Sequence, residues 1–253
     1  MRNTRTAKPR TAKPKAETKW ELPTDSRARW LLTLGNREQV ESTVRGRFLR
    51  GQAEPRLAFV GRSNVGKSTL LNALAGASLA QISAQPGKTR LLHFYLWTEA
   101  GKILADLPGY GFAKASRSER ERWSGFIQDY LEKDSGLERA VVLLDSRHGP
   151  TELDEEAIRF IDGLGLPVTF VMTKADQLST QSERARRKKE VEAAVLRLGH
   201  DPSAVFWVSV RDAASMRVLR RLLAERLRAG EVAQAAPAEA LNKESKIKDS
   251  EEE

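Results

Sequence analysis

The sequence predicts an α/β protein: a mostly parallel six-stranded sheet, covered by helices on both faces, with one antiparallel strand at an edge. Two observations predict it. Short apolar runs rich in β-branched and aromatic residues alternate with longer segments of helical spacing. One of those runs feeds directly into a glycine-rich turn and then a helix. The composition suits a folded body: of 253 residues, 40% are hydrophobic and 30% charged, enough for a core of ordinary size. Cysteine is absent, which excludes a disulfide scaffold and cysteine-ligated zinc. No apolar run approaches the roughly 18 residues of a membrane span. Residues 1–30 lack the apolar core of a secretory leader, so a cytoplasmic location is expected.

The elements follow in order. Residues 1–19 carry Arg2, Arg5, Lys8, Arg10, Lys13, Lys15 and Lys19 against Glu17 alone, with Pro9 and Pro14 between them. Such a segment cannot bury enough surface to fold by itself, and it is expected to be a disordered basic arm. The body spans 20–230. Its strands are expected at Leu57–Val60, Leu91–Trp97, Lys102–Ala105, Ala140–Leu144, Val168–Met172 and Val205–Val208. The short link through Gly101 makes Leu91–Trp97 and Lys102–Ala105 a hairpin, hence the antiparallel edge. Helices are expected where Leu70, Leu71 and Leu74 follow the glycine-rich turn, where Val191, Val195 and Leu198 share a face, and where Met216, Leu219, Leu222, Leu223 and Leu227 recur. Residues 231–253 end in Glu251, Glu252 and Glu253 and read as a disordered acidic tail. The chain has 43 basic and 34 acidic residues, a net charge of +9. The excess of base persists in the body, which favours polyanion partners without DNA specificity.

Three constellations carry chemistry. The first is Gly61-Arg62-Ser63-Asn64-Val65-Gly66-Lys67-Ser68, which fits G-x-x-x-x-G-K-[ST]. Its glycines let successive backbone N–H groups face phosphate oxygens. Lys67 sets a point charge against the β- and γ-phosphates, the Ser68 hydroxyl suits magnesium, and the helix N-terminus adds partial positive charge. Alone, the pattern also suits a surface turn. The strand Leu57–Val60 before it and the helix Thr69–Ala75 after it favour phosphate binding.

The second is Asp106-Leu107-Pro108-Gly109, at the end of a strand. Asp106 can hold the magnesium hydration shell and Gly109 can offer an N–H to a γ-phosphate. The third is Thr173-Lys174-Ala175-Asp176. Asp176 can accept both the N1–H and the exocyclic amine of guanine, whereas adenine presents the opposite pattern. Lys174 can lay its methylene stem along the base. By itself this tetrapeptide is also an ordinary helix start with Thr173 or Asp176 as cap.

In this order, GRSNVGKS, PGKTR, DLPGYGFAK, DSRHG and TKAD resemble the EngB family (also called YihA or YsxC) of bacterial GTP-binding proteins, related to Era and TrmE. The resemblance covers about residues 30–229. It implies a Ras-like P-loop GTPase fold, magnesium-dependent binding of GTP and GDP, a role in large ribosomal subunit assembly and a requirement in cell division. It also implies Thr89, within Pro86-Gly87-Lys88-Thr89-Arg90, as the switch I threonine and a second magnesium ligand. Gly87, Lys88, Arg90 and Leu91 then join the nucleotide-contacting set. The metal ligands become Ser68, Thr89 and Asp106, and the catalytic set Lys67, Thr89, Gly109 and Asn64. The family places Ser-Ala-Lys or Ser-Ser-Leu-Lys in its last guanine-contacting loop. Here the segment is Val208-Ser209-Val210-Arg211, anchored by Ser209 with its register open by one residue.

Many GTPases carry a water-orienting Gln directly after D-x-x-G. Here Tyr110 occupies that position, so slow intrinsic hydrolysis is expected. Compensation by a ribosomal partner or by potassium is open; Asn64 resembles the potassium-ligating Asn of TrmE-like GTPases and equally suits local loop hydrogen bonding. Arg90 and Lys114 are candidate charge stabilisers. The mobile switch segments are expected at Ser83–Arg90 and Tyr110–Arg117. Tyr110 and Phe112 suit either base stacking or packing of switch II on the body. Basic clusters at 1–19, Arg117–Arg122 and Arg184–Lys189 suit ribosomal RNA contact or a solvated face. His93, His148 and His200 show no metal spacing, and the five tryptophans are expected to pack. The expected partner is the large ribosomal subunit or its RNA, met by a monomer with no membrane span. The alternatives are a nucleotide-gated septum protein and a P-loop ATPase or kinase.

Overall fold

A computed structural model describes residues 28–34, 39, 54–80, 91–111 and 117–225. The elements run β1 Ala28–Leu34, β2 Arg56–Gly61, α1 Lys67–Ala75, β3 Leu92–Trp97, β4 Lys102–Asp106, α2 Arg117–Lys133, β5 Leu137–Asp145, α3 Glu152–Gly163, β6 Val168–Thr173, α4 Gln181–Arg197, β7 Val205–Trp207 and α5 Ala213–Ala224. Among the described residues the strands form one sheet in the order β1-β3-β4-β2-β5-β6-β7. Strands β4, β2, β5, β6 and β7 are parallel neighbours, while β3 is antiparallel to β4 and β1 antiparallel to β3.

The period of two along the central strands sorts side chains into two cores. On β2, Ala58 and Val60 enter one cluster, and Leu57 and Phe59 the other. On β5, Ala140, Val142 and Leu144 face the first and Val141 and Leu143 the second. Phe126 and Tyr130 of α2, Ile158 and Ile161 of α3 and Val191 and Val195 of α4 cover the first face. Leu70, Leu71 and Leu74 of α1 and Met216, Leu219 and Leu223 of α5 cover the second. A strand buried on both sides must be apolar throughout, which is why β2 and β5 read as continuous runs.

The caps are local. The Thr180 hydroxyl accepts from Glu183 N at the start of α4, and the Asp212 carboxylate accepts from Ala214 N and Ser215 N at the start of α5. Trp97 is buried and Trp207 half-buried.

The sheet corrects the sequence expectation in one respect. It has seven strands, and the antiparallel strand β3 is not at the edge because β1 lies outside it. A register shift between Trp30 and Leu32 breaks the two-residue alternation of Ala28–Leu34, so the run carries no clean strand signature. The expected arm 1–19 and tail 231–253 lie outside the described residues.

Candidate nucleotide-binding site

The carboxyl ends of the parallel strands bring the three constellations to one edge of the sheet, the position where open α/β sheets bind ligands. Gly61 ends β2, Asp106 ends β4, Asp145 ends β5 and Thr173 ends β6.

The phosphate loop is built by backbone. Asn64 and Gly66 both take left-handed conformations, with φ of 65° and 104°, so the chain turns tightly into α1. The Leu70 N–H then donates to the Gly66 carbonyl at 2.9 Å. Opposite lies the segment after β4. Ser63 N donates to the Tyr110 carbonyl at 2.9 Å and Tyr110 N to the Gly61 carbonyl at 3.2 Å, a short parallel bridge between the two loops. Gly109 is required by this approach: a Cβ there would lie 2.9 Å from Ser63 N and 3.0 Å from Ser63 Cα. Lys67 is buried, and its ammonium donates to the buried carboxylate of Asp106. Ser68 follows Lys67 on the first turn of α1.

The end of the site at Thr173–Asp176 is built by side chains. The Thr173 hydroxyl lies 2.5 Å from the Val65 carbonyl and 3.1 Å from that of Leu144, so β6 is tied to both the phosphate loop and β5. A threonine at this position thus has a structural task. Lys174 is left-handed, with φ of 58°. Its Nζ donates to the Asn64 carbonyl at 2.6 Å and to Asp145 Oδ2 at 2.8 Å. Its stem passes over the phosphate loop, since a Cβ on Gly66 would lie 3.7 Å from Lys174 Cε. Asp176 is exposed and pairs with Arg211 Nη1 at 3.5 Å. The last loop joins it through backbone: Ala175 N donates to the Val208 carbonyl at 3.1 Å, and Val208 N to the Met172 carbonyl at 2.9 Å. Val208 is buried, Val210 exposed, and the Ser209 hydroxyl accepts from Arg211 N at 3.1 Å.

Sequence reasoning assigned no role to Asp145, the first residue of the Asp-Ser-Arg-His-Gly stretch. Burial alone would raise its pKa. Hydrogen bonds from Arg147 and Lys174 outweigh that and hold the carboxyl well below the ordinary range. Its place immediately after an apolar strand was the available signal. Asp154 was also missed. It accepts from the Tyr110 hydroxyl at 2.7 Å and from Thr151 N at 2.9 Å, and it pairs with Arg62 at 3.5 Å. Burial, then Asp154, pushes the Tyr110 pKa up, so the hydroxyl stays protonated and donates. Of the two uses open to Tyr110, the structure shows packing on the body, its ring against the first core cluster.

Thr89, Gly87, Lys88 and Arg90, together with the rest of Ser83–Arg90, lie outside the described residues, as do Phe112, Lys114 and the side chains of Arg117–Arg122. Leu91 is exposed, directly before β3. The basic run on α4 is engaged by the fold in part, through Arg184 and Arg187, while Arg186, Lys188 and Lys189 are exposed. Arg184 donates to the Leu178 carbonyl, Arg187 to those of Arg147 and His148, and Arg186 and Lys188 pair with Glu190 and Glu192. Among the described residues no group of three or more His, Asp or Glu is arranged to hold a metal. No described helix is long and apolar enough to cross a membrane.

Residues 56–174 match the family described as 50S ribosome-binding GTPases. A relative described as a probable GTP-binding protein EngB, from Desulfovibrio desulfuricans, is 47% identical over 143 residues, covering 56% of this chain and 71% of the relative. The chain belongs to the EngB family. A second protein of that description, from Chlorobium phaeobacteroides, is 46% identical over 143 residues and is covered over 73% of its length. Among solved structures, Aquifex aeolicus Era bound to GDP and aluminium fluoride has a TM-score of 0.54 at 26% identity. That match covers 70% of this chain and 57% of Era, so the chain spans little more than half of Era's length. Era in complex with MgGDPNP and nucleotides 1506–1542 of 16S ribosomal RNA has a TM-score of 0.55 at 26% identity. A crystal structure of a probable GTP-binding protein engB, 21% identical with a TM-score of 0.50 and covered over 97% of its length, bears on the fold alone. This EngB-family chain is therefore a nucleotide-binding P-loop GTPase with a Ras-like sheet.

Proposed function

We propose that this chain is a GTP/GDP switch that hydrolyses GTP slowly and acts in assembly of the large ribosomal subunit. The observation that supports it most is the joining of the two ends of the site: Lys174 Nζ reaches the phosphate-loop carbonyl of Asn64 at 2.6 Å while Asp176, two residues on, faces outward. A guanine nucleotide would lie with its phosphates in the cradle Gly61–Ser68 and its base edge on Asp176. Lys67 would turn from Asp106 to the β- and γ-phosphates. Gly66, Lys67 and Ser68 at the start of α1 would offer backbone N–H groups, with Arg62, Ser63 and Val65 shaping the loop around them, and Gly109 would offer another to the γ-phosphate. Ala175, Val208, Ser209 and Val210 would wall the base.

Ser68 and Asp106 would hold magnesium, with Thr89 as third ligand. Hydroxyl and carboxylate oxygens suit that hard cation, and the Lys67–Asp106 pair shows the carboxylate positioned for a positive charge. When bound, magnesium supplies charge neutralisation on the phosphates. Asn64, exposed at the head of the loop, is the candidate potassium ligand. Exchange of sodium for potassium with no change in rate would remove that role.

Tyr110 cannot orient the attacking water as an amide would, and its hydroxyl is engaged by Asp154. Intrinsic turnover is therefore slow, and the useful output is the difference between states with and without γ-phosphate. The 50S ribosome-binding family supports the ribosome over the septum as the place of action. The carboxylate of Asp176 supports guanine over adenine, against the ATPase or kinase reading.

The test is co-sedimentation with isolated ribosomal subunits under GDP and under a non-hydrolysable GTP analogue, at two salt concentrations, with and without residues 1–19. Binding to the large subunit with the GTP analogue, weakened under GDP, is expected. Binding that ignores the nucleotide and disappears at high salt would reduce the interaction to polyanion adhesion. A single-turnover rate equal to that of an activated GTPase, without any partner, would refute slow hydrolysis.

A further inference from the structure

Beyond the guanine end, a groove of about 850 Å³ runs between α1 and α5. Arg211, Arg217, Arg220 and Arg221 line it, with Trp97 buried alongside and Glu99 the acid among its lining residues. Arg217 and Arg221 are four residues apart on α5 and so share a helix face, the one turned away from Leu219 and Leu223. Like charges at this spacing repel, so the arrangement is not one that helix stability selects. Arg220 is anchored, donating to the Ala73 carbonyl of α1.

The other three differ from Arg184 and Arg187 of α4, which donate to carbonyls of the fold. The Arg211 and Arg221 side chains are 84% and 85% exposed, and each has only a long or solvent-screened pairing, with Asp176 at 3.5 Å and with Glu225 at 3.2 Å. Arg217 is exposed and interacts electrostatically with Asp212 at the start of the helix. On α4, Arg184 and Arg187 are tied to carbonyls of the fold, whereas Arg186 and Lys188 make solvent-screened pairs at 3.7 Å with Glu190 and Glu192 of the same helix.

We propose that the α1–α5 groove is the surface on which the phosphodiester backbone of large-subunit ribosomal RNA docks, through Arg211, Arg217 and Arg221. This rests on the ribosomal reading given above. Guanidinium groups suit phosphate because their planar fork matches two oxygens at once, and exposed arginines release counterions when they meet a polyanion. Arg211 faces two sites. Guanine on Asp176 takes the carboxylate that now holds Arg211 and frees the guanidinium for the groove. Coupling of this kind is reciprocal, so RNA in the groove would tighten guanine binding by the same factor. The pair is exposed, so that factor is small.

The test compares two charge reversals of equal size in the full chain: Arg217→Glu with Arg221→Glu in the groove, and Lys188→Glu with Lys189→Glu on α4. Binding to isolated large subunits and to protein-free large-subunit RNA is measured with the GTP analogue across a salt series. GDP affinity and melting temperature serve as fold controls, and Arg217→Gln with Arg221→Gln is used should the reversal fail to fold. The groove pair is expected to weaken both bindings by about tenfold or more and to lower the salt slope by roughly 1.4, about 0.7 for each lost phosphate contact. The α4 pair is expected to change affinity by less than about threefold, and Arg211→Ala to reduce the nucleotide dependence of RNA binding by about twofold to threefold. Equal weakening by the two reversals, or undiminished binding by the groove pair, overturns the proposal. Loss of subunit binding with no effect on free RNA also overturns it, since the groove would then meet a ribosomal protein. Wild-type protein that binds neither subunit nor RNA removes the ribosomal reading itself, and the groove proposal with it.

Discussion

The two ends of the nucleotide site are made differently. The phosphate end is contiguous and mostly main chain: Gly61–Ser68 turns on two left-handed residues and leaves one buried lysine facing Asp106. The base end is discontinuous and mostly side chain: Thr173–Asp176 after β6 and Val208–Arg211 after β7 meet through hydrogen bonds of Thr173, Lys174 and the Ala175 backbone. At the phosphate end the charges of Lys67 and Asp106 are buried and meet each other, while the carboxylate at the base end is exposed. Affinity should therefore come chiefly from the first and base identity from the second, with Thr173 and Lys174 holding the two in register.

The largest effect is expected at the phosphate end. Lys67→Ala removes the cation and leaves Asp106 buried without it, and should weaken GTP by roughly 100-fold or more in calorimetric titration. A loss below tenfold would break the division of labour. Next is Asp176→Asn. It should cost roughly 10- to 100-fold in GDP affinity and raise affinity for xanthine nucleotides, whose C2 carbonyl suits the new amide donor. Equal losses for GDP and XDP would assign Asp176 to the loop instead of the base.

Thr173→Val keeps the shape and removes the hydroxyl that ties β6 to Val65 and Leu144. It should cost about 1–3 kcal/mol of stability in denaturant unfolding and weaken GDP and GTP alike, because it loosens both ends. A change in base preference without a stability loss would contradict the bridge.

The smallest effect concerns His93, which pairs across the sheet with Asp106 and is hydrogen-bonded to the Thr33 hydroxyl at 2.8 Å. Burial holds its pKa below the ordinary 6.5, against Asp106 and with help from Lys67. As pH falls below 6.5 the unfolded chain takes up the proton first. Stability is therefore full above that value and declines until the folded imidazole itself titrates. His93→Gln should flatten this part of the stability–pH curve; an unchanged slope would place its origin elsewhere.

The same contrast explains what the sequence disclosed. The phosphate loop was legible because its geometry is local: strand, turn and helix follow one another within one stretch. The parallel strands were legible because burial on both faces makes them apolar throughout. The edge strand β1 was not, because the shift at Trp30 and Leu32 breaks its alternation. Asp145 and Asp154 were not, because their partners Lys174 and Tyr110 lie 29 and 44 residues away and only the fold brings them together. The sequence offers the cations of α4 as one of three basic clusters, and only the fold shows that Arg184 and Arg187 among them are tied to carbonyls of the body.

The most direct test of the account compares GDP, guanosine and ADP in calorimetric titrations of the full chain with magnesium. GDP should bind most tightly. Guanosine, lacking phosphates, should be weaker by about 100-fold or more, and ADP, lacking the guanine edge, by at least about tenfold. ADP within a factor of two or so of GDP would mean that Asp176 does not read the base, and the division between the two ends would fail.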